Sequence, residues 1–253
     1  MRTLIVIPAR LASTRLPEKM LLDRTGKPLI QHTYEQASKA TSADQVVVAT
    51  DHPSIQRRVQ EFGGQVLLTS PDHQSGSERA AEVAAAFPDF PLICNVQGDE
   101  PEIEPQAIDQ AIAIMIQGIR QGQDPVMATL ATPIREKRLL DDPSCVKVTM
   151  DQKQRALYFS RSAIPCPRDF HKEMLEADPP NFFQHVGLYV YRRDFLLNWP
   201  TLPPSRWEKL ERLEQLRVLD AGFEIMVDVV KHSPRGIDTL QDYEAFVSRQ
   251  INC

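Results

Sequence analysis

Cysteine is scarce in this chain of 253 residues. Its four cysteines, Cys94, Cys145, Cys166 and Cys253, are scattered and form no C-x-x-C pair. That argues against a disulfide framework and against a structural zinc site. Positive charge is also short: 29 Lys and Arg against 34 Asp and Glu leave a net charge of −5. No global basic field draws the chain to nucleic acid or anionic lipid, so a bound anion must be captured by local cations. No apolar run approaches the length needed to cross a bilayer, and the N-terminal run breaks at Pro8, too early for a signal peptide. Repeats, low-complexity tracts and an interdomain linker are all missing. These absences lead us to expect a cytosolic chain with neither nucleic acid nor membrane as partner. The composition, 42% hydrophobic and 25% charged, supplies a sizeable core. We expect a single domain over residues 1–253, with an excursion at about 126–205.

Against that acidic background, one loop stands out. The apolar run Leu4-Ile5-Val6-Ile7 reads as a strand, and Arg10, Arg15 and Lys19 follow it among small and polar residues. A loop leaving a strand in an α/β sheet is where ligands bind. Clustered cations and exposed amides there suit a polyphosphate. The competing reading is a solvated basic loop.

The first half alternates short apolar runs with helical segments. Strands are expected at Leu4–Ile7, Val46–Thr50, Val66–Leu68 and Leu92–Val96. Helices are expected over Pro28–Ala40, from Pro53 to the Gly63-Gly64 stop, from a Ser75-x-x-Glu78 cap through Ala86, and over Pro105–Gln117. Continuous apolar strands mark a parallel sheet covered on both faces, a doubly wound α/β fold. The second half is less regular. Val126–Thr132, Val146–Met150 and Leu157–Ser160 look like strands without intervening helices, Pro165–Asn181 like a loop, and Val186–Tyr191 and Ile225–Val229 like strands. Glu208–Leu219 reads as one amphipathic helix striped by Leu210, Leu213, Leu216 and Leu219, and Asp242–Gln250 as a closing helix.

Several polar groups fall at strand exits. Asp99 follows Gly98, which permits a sharp turn and close backbone approach. Its carboxylate would point into the crevice beside the basic loop, which makes sense if Mg²⁺ lies between them; a turn or N-cap Asp is the alternative. Asp238 sits in a similar turn, where capping the last helix is an equal option. Asp51 ends the second strand and reads either a base edge or caps the helix from Pro53. Gln74, Ser75 and Arg79 surround a helix N-terminus, a natural polar-ligand site, with simple capping by Ser75 as the alternative. In the excursion, Arg161 is able to clamp a carboxylate bidentately. His185 and Tyr189 suit a polyol, or His185 is a satisfied structural group. Glu214, with Glu211 and Arg217, reads most simply as a solvated, salt-bridged face.

Taken together, the motifs resemble those of the 3-deoxy-manno-octulosonate (Kdo) cytidylyltransferases. They run Ile-Pro-Ala-Arg-x-x-Ser-Thr-Arg-Leu-Pro-x-Lys from Ile7, Val-Ala-Thr-Asp from Val48 and Asp-His-x-Ser-Gly-Ser-Glu-Arg from Asp72. They continue as Val-Gln-Gly-Asp-Glu-Pro from Val96, Ala-Leu-Tyr-Phe-Ser-Arg from Ala156, His-x-Gly-Leu-Tyr from His185 and Leu-Glu-Gln-Leu-Arg from Leu213. The resemblance implies a glycosyltransferase-A-like nucleotidyltransferase fold, a homodimer, Mg²⁺ dependence and CMP transfer from CTP to Kdo with loss of pyrophosphate. By matching position, it implies that Arg10, Ser13, Arg15 and Lys19 hold the triphosphate, and that Thr50, Asp51, Gln74 and Ser75 hold the cytidine. Asp99 and Asp238 would be metal ligands. Arg79, Gln97, Arg161, His185, Tyr189, Glu214 and Gln215 would line the sugar site. Lys19, Arg15, Asp99 and Asp238 would carry the chemistry. The chain departs from the family pattern at Glu18, where a small residue is common, at Met20, where proline is usual, at Cys166-Pro167 and at Leu240-Gln241. Sialic-acid enzymes carry a Gly-Gly-Ser-Lys version of the first loop, where this chain has Leu11-Ala12-Ser13-Thr14-Arg15. A cytidylyltransferase for an amino-substituted Kdo and a nucleotide-binding protein without turnover remain as alternatives.

Overall fold

The structure is a computed structural model that describes residues 1–251 except Thr14 and Pro234. Thr14 of the first motif and Cys253 lie outside the described residues. In chain order the elements are β1 (Thr3–Ala9), α1 (Leu29–Ala37), β2 (Gln45–Thr50), α2 (Pro53–Glu61), β3 (Val66–Leu68), α3 (Gly76–Ala86), β4 (Leu92–Asn95) and α4 (Pro105–Arg120). There follow β5 (Pro125–Pro133), α5 (Lys137–Asp141), β6 (Lys147–Met150), β7 (Ala156–Ser160), β8 (Phe183–Arg192), α6 (Arg193–Leu197), α7 (Arg206–Glu211), α8 (Gln215–Asp220), β9 (Glu224–Val229) and α9 (Leu240–Ile251). The chain is mixed α/β, with a mostly parallel sheet and some antiparallel strands. Among the described residues, no helix is long and apolar enough to cross a membrane.

The chain divides into two compact units. The first comprises Met1–Ile112, Tyr191–Pro200 and Pro234–Cys253. Its strands run β3-β2-β1-β4, all parallel, with Ala9 opposite Thr50 and Val6 opposite Asn95. Parallel strands put their carboxyl ends on one edge, so the loops after β1, β2 and β4 leave together. Leu4, Ile5, Val6 and Ile7 are wholly buried, as strands covered on both faces should be. Leu16, from inside the basic loop, packs with Leu29, Ile237, Tyr243, Phe246 and Val247. That one apolar cluster anchors both the loop and the Ile237-Asp238 segment.

The local signals for α2 and α3 act as expected, with one shift. Ser75 Oγ accepts the Glu78 N–H at 3.2 Å, while Glu78 Oε2 accepts from Gln74 N at 2.8 Å, one residue earlier than in a strict capping box. Asp51 does not cap α2: His52 holds that position and its Nδ1 accepts the Ser54 N–H.

The second unit comprises Ala113–Val190 and Thr201–Ser233. Here β5 pairs parallel with β9, while β6 lies antiparallel to both β7 and β8. Two expectations fail. The strands of this half are not free of helices, because α5 intervenes between β5 and β6. It is one turn long, too short to show periodicity, and forms because Leu140 drops into a cluster with Ile134, Cys145, Leu175 and Phe182. The single helix over 208–219 is two helices, broken at Arg212, whose φ of 52° is left-handed. Leucines every three residues drift by about 60° per step on a helix, so four of them cannot share one face. Leu213 and Leu216 are buried, whereas Leu210 is 67% exposed.

Candidate active site

In the first unit, the basic loop, the turn after β4 and the segment before α9 converge on one ammonium. Lys19 Nζ lies 2.5 Å from Asp99 Oδ2, 2.9 Å from the Ile237 carbonyl oxygen and 3.2 Å from Asp238 Oδ1. Arg15 adds a contact of 3.0 Å to the other oxygen of Asp238. Lys19 is buried, while Arg15 and Arg10 face solvent. A main-chain bond from Ile237 N to the Asp99 carbonyl, 2.9 Å, fixes the two acidic segments against each other. Gly98 is needed here: a Cβ on it would stand 2.7 Å from the Pro8 carbonyl oxygen. Asp238 does not cap α9. Thr239 and Asp242 do so reciprocally, with Thr239 N donating to Asp242 Oδ2 at 2.8 Å and Asp242 N to Thr239 Oγ1 at 3.2 Å. The Asp238 carboxylate is thereby left to the cations.

This donor set is all oxygen, two carboxylates and a carbonyl around a positive charge. It suits a hard divalent cation, which takes oxygen ligands and needs few carboxylates when phosphates supply the rest. Among the described residues, no group of three or more His, Cys, Asp and Glu side chains is gathered for a metal. The next residue, Glu100, is half-buried with its Oε2 shut from solvent, and burial followed by the Asp99 charge pushes its carboxyl up to about 8.

A second cluster in this unit surrounds α3. Arg79 is buried, and its guanidinium donates to Asp51 Oδ2 at 3.2 Å, to the Ser70 carbonyl at 3.3 Å and to the Thr69 hydroxyl. The other Asp51 oxygen accepts the Leu11 N–H of the basic loop, 3.2 Å. Asp51, expected at the cytidine, and Arg79, expected at the sugar, are each other's partners here and tie β2, α3 and the first loop together. Thr69 gave no local signal. Thr50 is buried beneath them, its hydroxyl accepting from His52 N. Gln74 donates to the Asp72 carbonyl at 2.8 Å, Ser13 is half-buried in the basic loop, and Gln97 is half-buried just past β4.

The remaining candidates belong to the second unit. Arg161 follows β7. Its Nε donates to the Glu211 carbonyl at 2.7 Å and its Nη1 to the Pro143 carbonyl at 3.0 Å, while its N–H reaches Glu211 Oε2 at 2.7 Å. Glu211 is therefore not part of a solvated face. Arg217 is not either: it makes a two-pronged pair with Glu208, at 2.7 and 2.8 Å. Glu214 lines a cavity of about 330 Å³ with Glu208, Lys209, Arg212 and Arg217. Gln215 is buried, and among the described residues its Nε2 has no hydrogen-bond partner. His185 is buried against Phe159 and Tyr189, with Nε2 3.0 Å from the Thr129 hydroxyl. Burial lowers its pKa to about 3, so the ring is neutral at physiological pH.

A cytidylyltransferase family model matches residues 4–226. The chain is 49% identical to the 3-deoxy-manno-octulosonate cytidylyltransferase of Rhodopirellula baltica, covering 98% of each chain. It is 44% identical to the Geobacter sulfurreducens protein of that name, over 96% of this chain and 97% of the other. A solved CMP:2-keto-3-deoxy-manno-octonic acid synthetase complexed with CTP superposes with a TM-score of 0.89 and 41% identity, covering 100% of this chain and 99% of that one. A cytidylyltransferase from Leptospira borgpetersenii, at 16% identity and a TM-score of 0.61, shares the fold.

Proposed function

The chain belongs to the cytidylyltransferase family, and from that premise we propose that it transfers CMP from CTP to the anomeric hydroxyl of Kdo, releasing pyrophosphate. The product is activated Kdo for lipopolysaccharide synthesis. The observation that carries the reading is the meeting of Lys19 with Asp99 and Asp238 at the exit of the first strand, in a chain 49% identical to a protein of that activity.

The reaction class calls for a divalent cation, and we assign Mg²⁺ to Asp99 and Asp238. Such an ion, when bound, lowers the pKa of an oxygen ligand and acts as a Lewis acid. The chain's own residues do the positioning. Arg10 and Ser13 hold the triphosphate, and Lys19 and Arg15 neutralise charge that grows on the departing pyrophosphate. Thr50, Asp51, Gln74 and Ser75 frame the cytidine. Arg161 pairs with the sugar-acid carboxylate; neutral His185 offers that sugar a hydrogen bond rather than a charge. Arg79, Gln97, Tyr189, Glu214 and Gln215 complete the sugar contacts.

We assign the whole chain to one nucleotidyltransferase domain, in which the segment at about 126–205 supplies sugar contacts and a dimer interface. On that segment Leu157 is an exposed apolar side chain, 61% accessible. The proposed setting is a cytoplasmic homodimer. The test is a panel of sugar acids, each with the four nucleoside triphosphates, followed by pyrophosphate release. Fast release with CTP and Kdo alone is expected. A faster reaction with an amino-substituted Kdo or a sialic acid, or no release with any pair, overturns the assignment.

A further inference from the structure

Lys147 opens β6 and is wholly buried, yet among the described residues its ammonium makes no ion pair with a carboxylate. An ammonium has three hydrogens. Here each has a main-chain acceptor: the carbonyls of Asp142 at 2.9 Å, Cys145 at 2.6 Å and Arg161 at 2.7 Å. Burial holds the Lys147 pKa below the ordinary lysine value. A buried ammonium is costly to desolvate, and an apolar chain such as methionine fills the same volume without that cost.

What the ammonium joins gives the reason. Arg161 Nη1 donates to the Pro143 carbonyl, and Pro143 lies inside the stretch whose Asp142 and Cys145 carbonyls Lys147 holds. The third carbonyl is Arg161's own. Lys147 thus ties down both ends of one contact, the arginine main chain and the loop that orients its guanidinium. Glu211 closes the arrangement, taking the Arg161 N–H on Oε2 and the Ser160 hydroxyl on Oε1 at 2.8 Å. Arg161 is held at its N–H, its carbonyl, Nε and Nη1. Among the described residues, its Nη2 makes no hydrogen bond, so one edge of a fixed guanidinium is left for a ligand.

We propose that Lys147 is a positioning residue for Arg161: its three-carbonyl grip sets the guanidinium in the orientation that receives the sugar-acid carboxylate. This rests on the assignment of Arg161 given above. A misplacement of about 1 Å is enough to cost roughly a hundredfold at such a site.

The test compares Lys147→Met, Lys147→Gln and Arg161→Ala, alone and with each Lys147 change added to Arg161→Ala, in steady-state kinetics on the full-length protein. Lys147→Met should raise KM for Kdo roughly ten- to a hundredfold and leave KM for CTP within about twofold. Lys147→Gln, which keeps two amide hydrogens for the carbonyls, should recover part of the loss. In the Arg161→Ala background, neither change should raise KM for Kdo further. If Lys147→Met fails to fold, Lys147→Gln carries the same comparison. An unchanged KM for Kdo in the Lys147 variants, with a raised one in Arg161→Ala, overturns the positioning role. So does an equal rise for both substrates. If Arg161→Ala itself leaves KM for Kdo unchanged, the assignment of Arg161 fails first.

Discussion

His185 gives a prediction whose size follows from the structure. The imidazole is buried, stays neutral, and titrates in the folded chain near 3 against 6.5 when unfolded. Between those values the unfolded chain binds the extra proton. The stability that neutral His185 contributes is therefore fully present above about pH 6.5 and is lost as pH falls toward 3. From about pH 7 to about pH 5 the loss amounts to about 2 kcal/mol. That figure barely depends on the folded pKa, because any value below about 4 leaves the ring neutral at pH 5.

Wild-type stability alone will not show it, since Glu100 acts in the opposite direction. Its folded pKa is raised from 4.5 to about 8, so its contribution is fully present below 4.5 and lost as pH rises toward 8. Acidification over the same interval returns an amount of similar size, about 2.5 kcal/mol. The readout is the difference between wild type and His185→Gln, whose amide nitrogen replaces Nε2 as donor to Thr129. Urea unfolding is followed by fluorescence at both pH values. The stability of His185→Gln relative to wild type should rise by about 2 kcal/mol from pH 7 to pH 5. A constant difference would mean that the folded imidazole takes up protons like an exposed one, and the buried, neutral reading would be wrong.

Asp99→Asn should lower turnover about 10²- to 10³-fold with the melting temperature held, and undiminished turnover at saturating Mg²⁺ refutes the metal-ligand assignment. Gly98→Ala drives a Cβ against a main-chain oxygen that cannot rotate away, which should cost about 1–3 kcal/mol in chemical denaturation; wild-type stability would contradict the close approach. Asp51→Ala strands the Arg79 guanidinium, 4% exposed, and should cost about 3–5 kcal/mol, much of it recovered when Arg79→Met is added. No recovery in the double variant would show that the pair is not the cause. Pyrophosphate release should stop on chelation with EDTA and return with excess Mg²⁺, and turnover that survives chelation argues against any metal at Asp99 and Asp238.

Much of the first unit was legible because its signals are local. Leu4–Ile7 and Val46–Ala49 are apolar without alternation, which suffices for a strand covered on both faces. Ser75 and Pro53 mark helix starts by their own chemistry. The cationic loop was visible because three charges fall within ten residues. The second unit was harder. Its α5 is too short for periodicity, and the break at Arg212 depends on a left-handed residue that no motif announces. A Ser205-x-x-Glu208 capping box did mark the start of α7, two residues before the expected helix.

The amino-acid order alone therefore showed the kind of most segments and the supply of charged groups. It did not fix which charges meet. That Lys19 takes Asp99 and Asp238, 80 and 219 residues away, follows from parallel strand ends sharing an edge and from Leu16 and Ile237 sharing a core. That Arg79 turns to Asp51, and Arg161 to Glu211 and Pro143, is likewise a result of packing. Hydrogen bonds reach only about 3 Å, so partners far apart in the chain are chosen by the cores that bring their segments together.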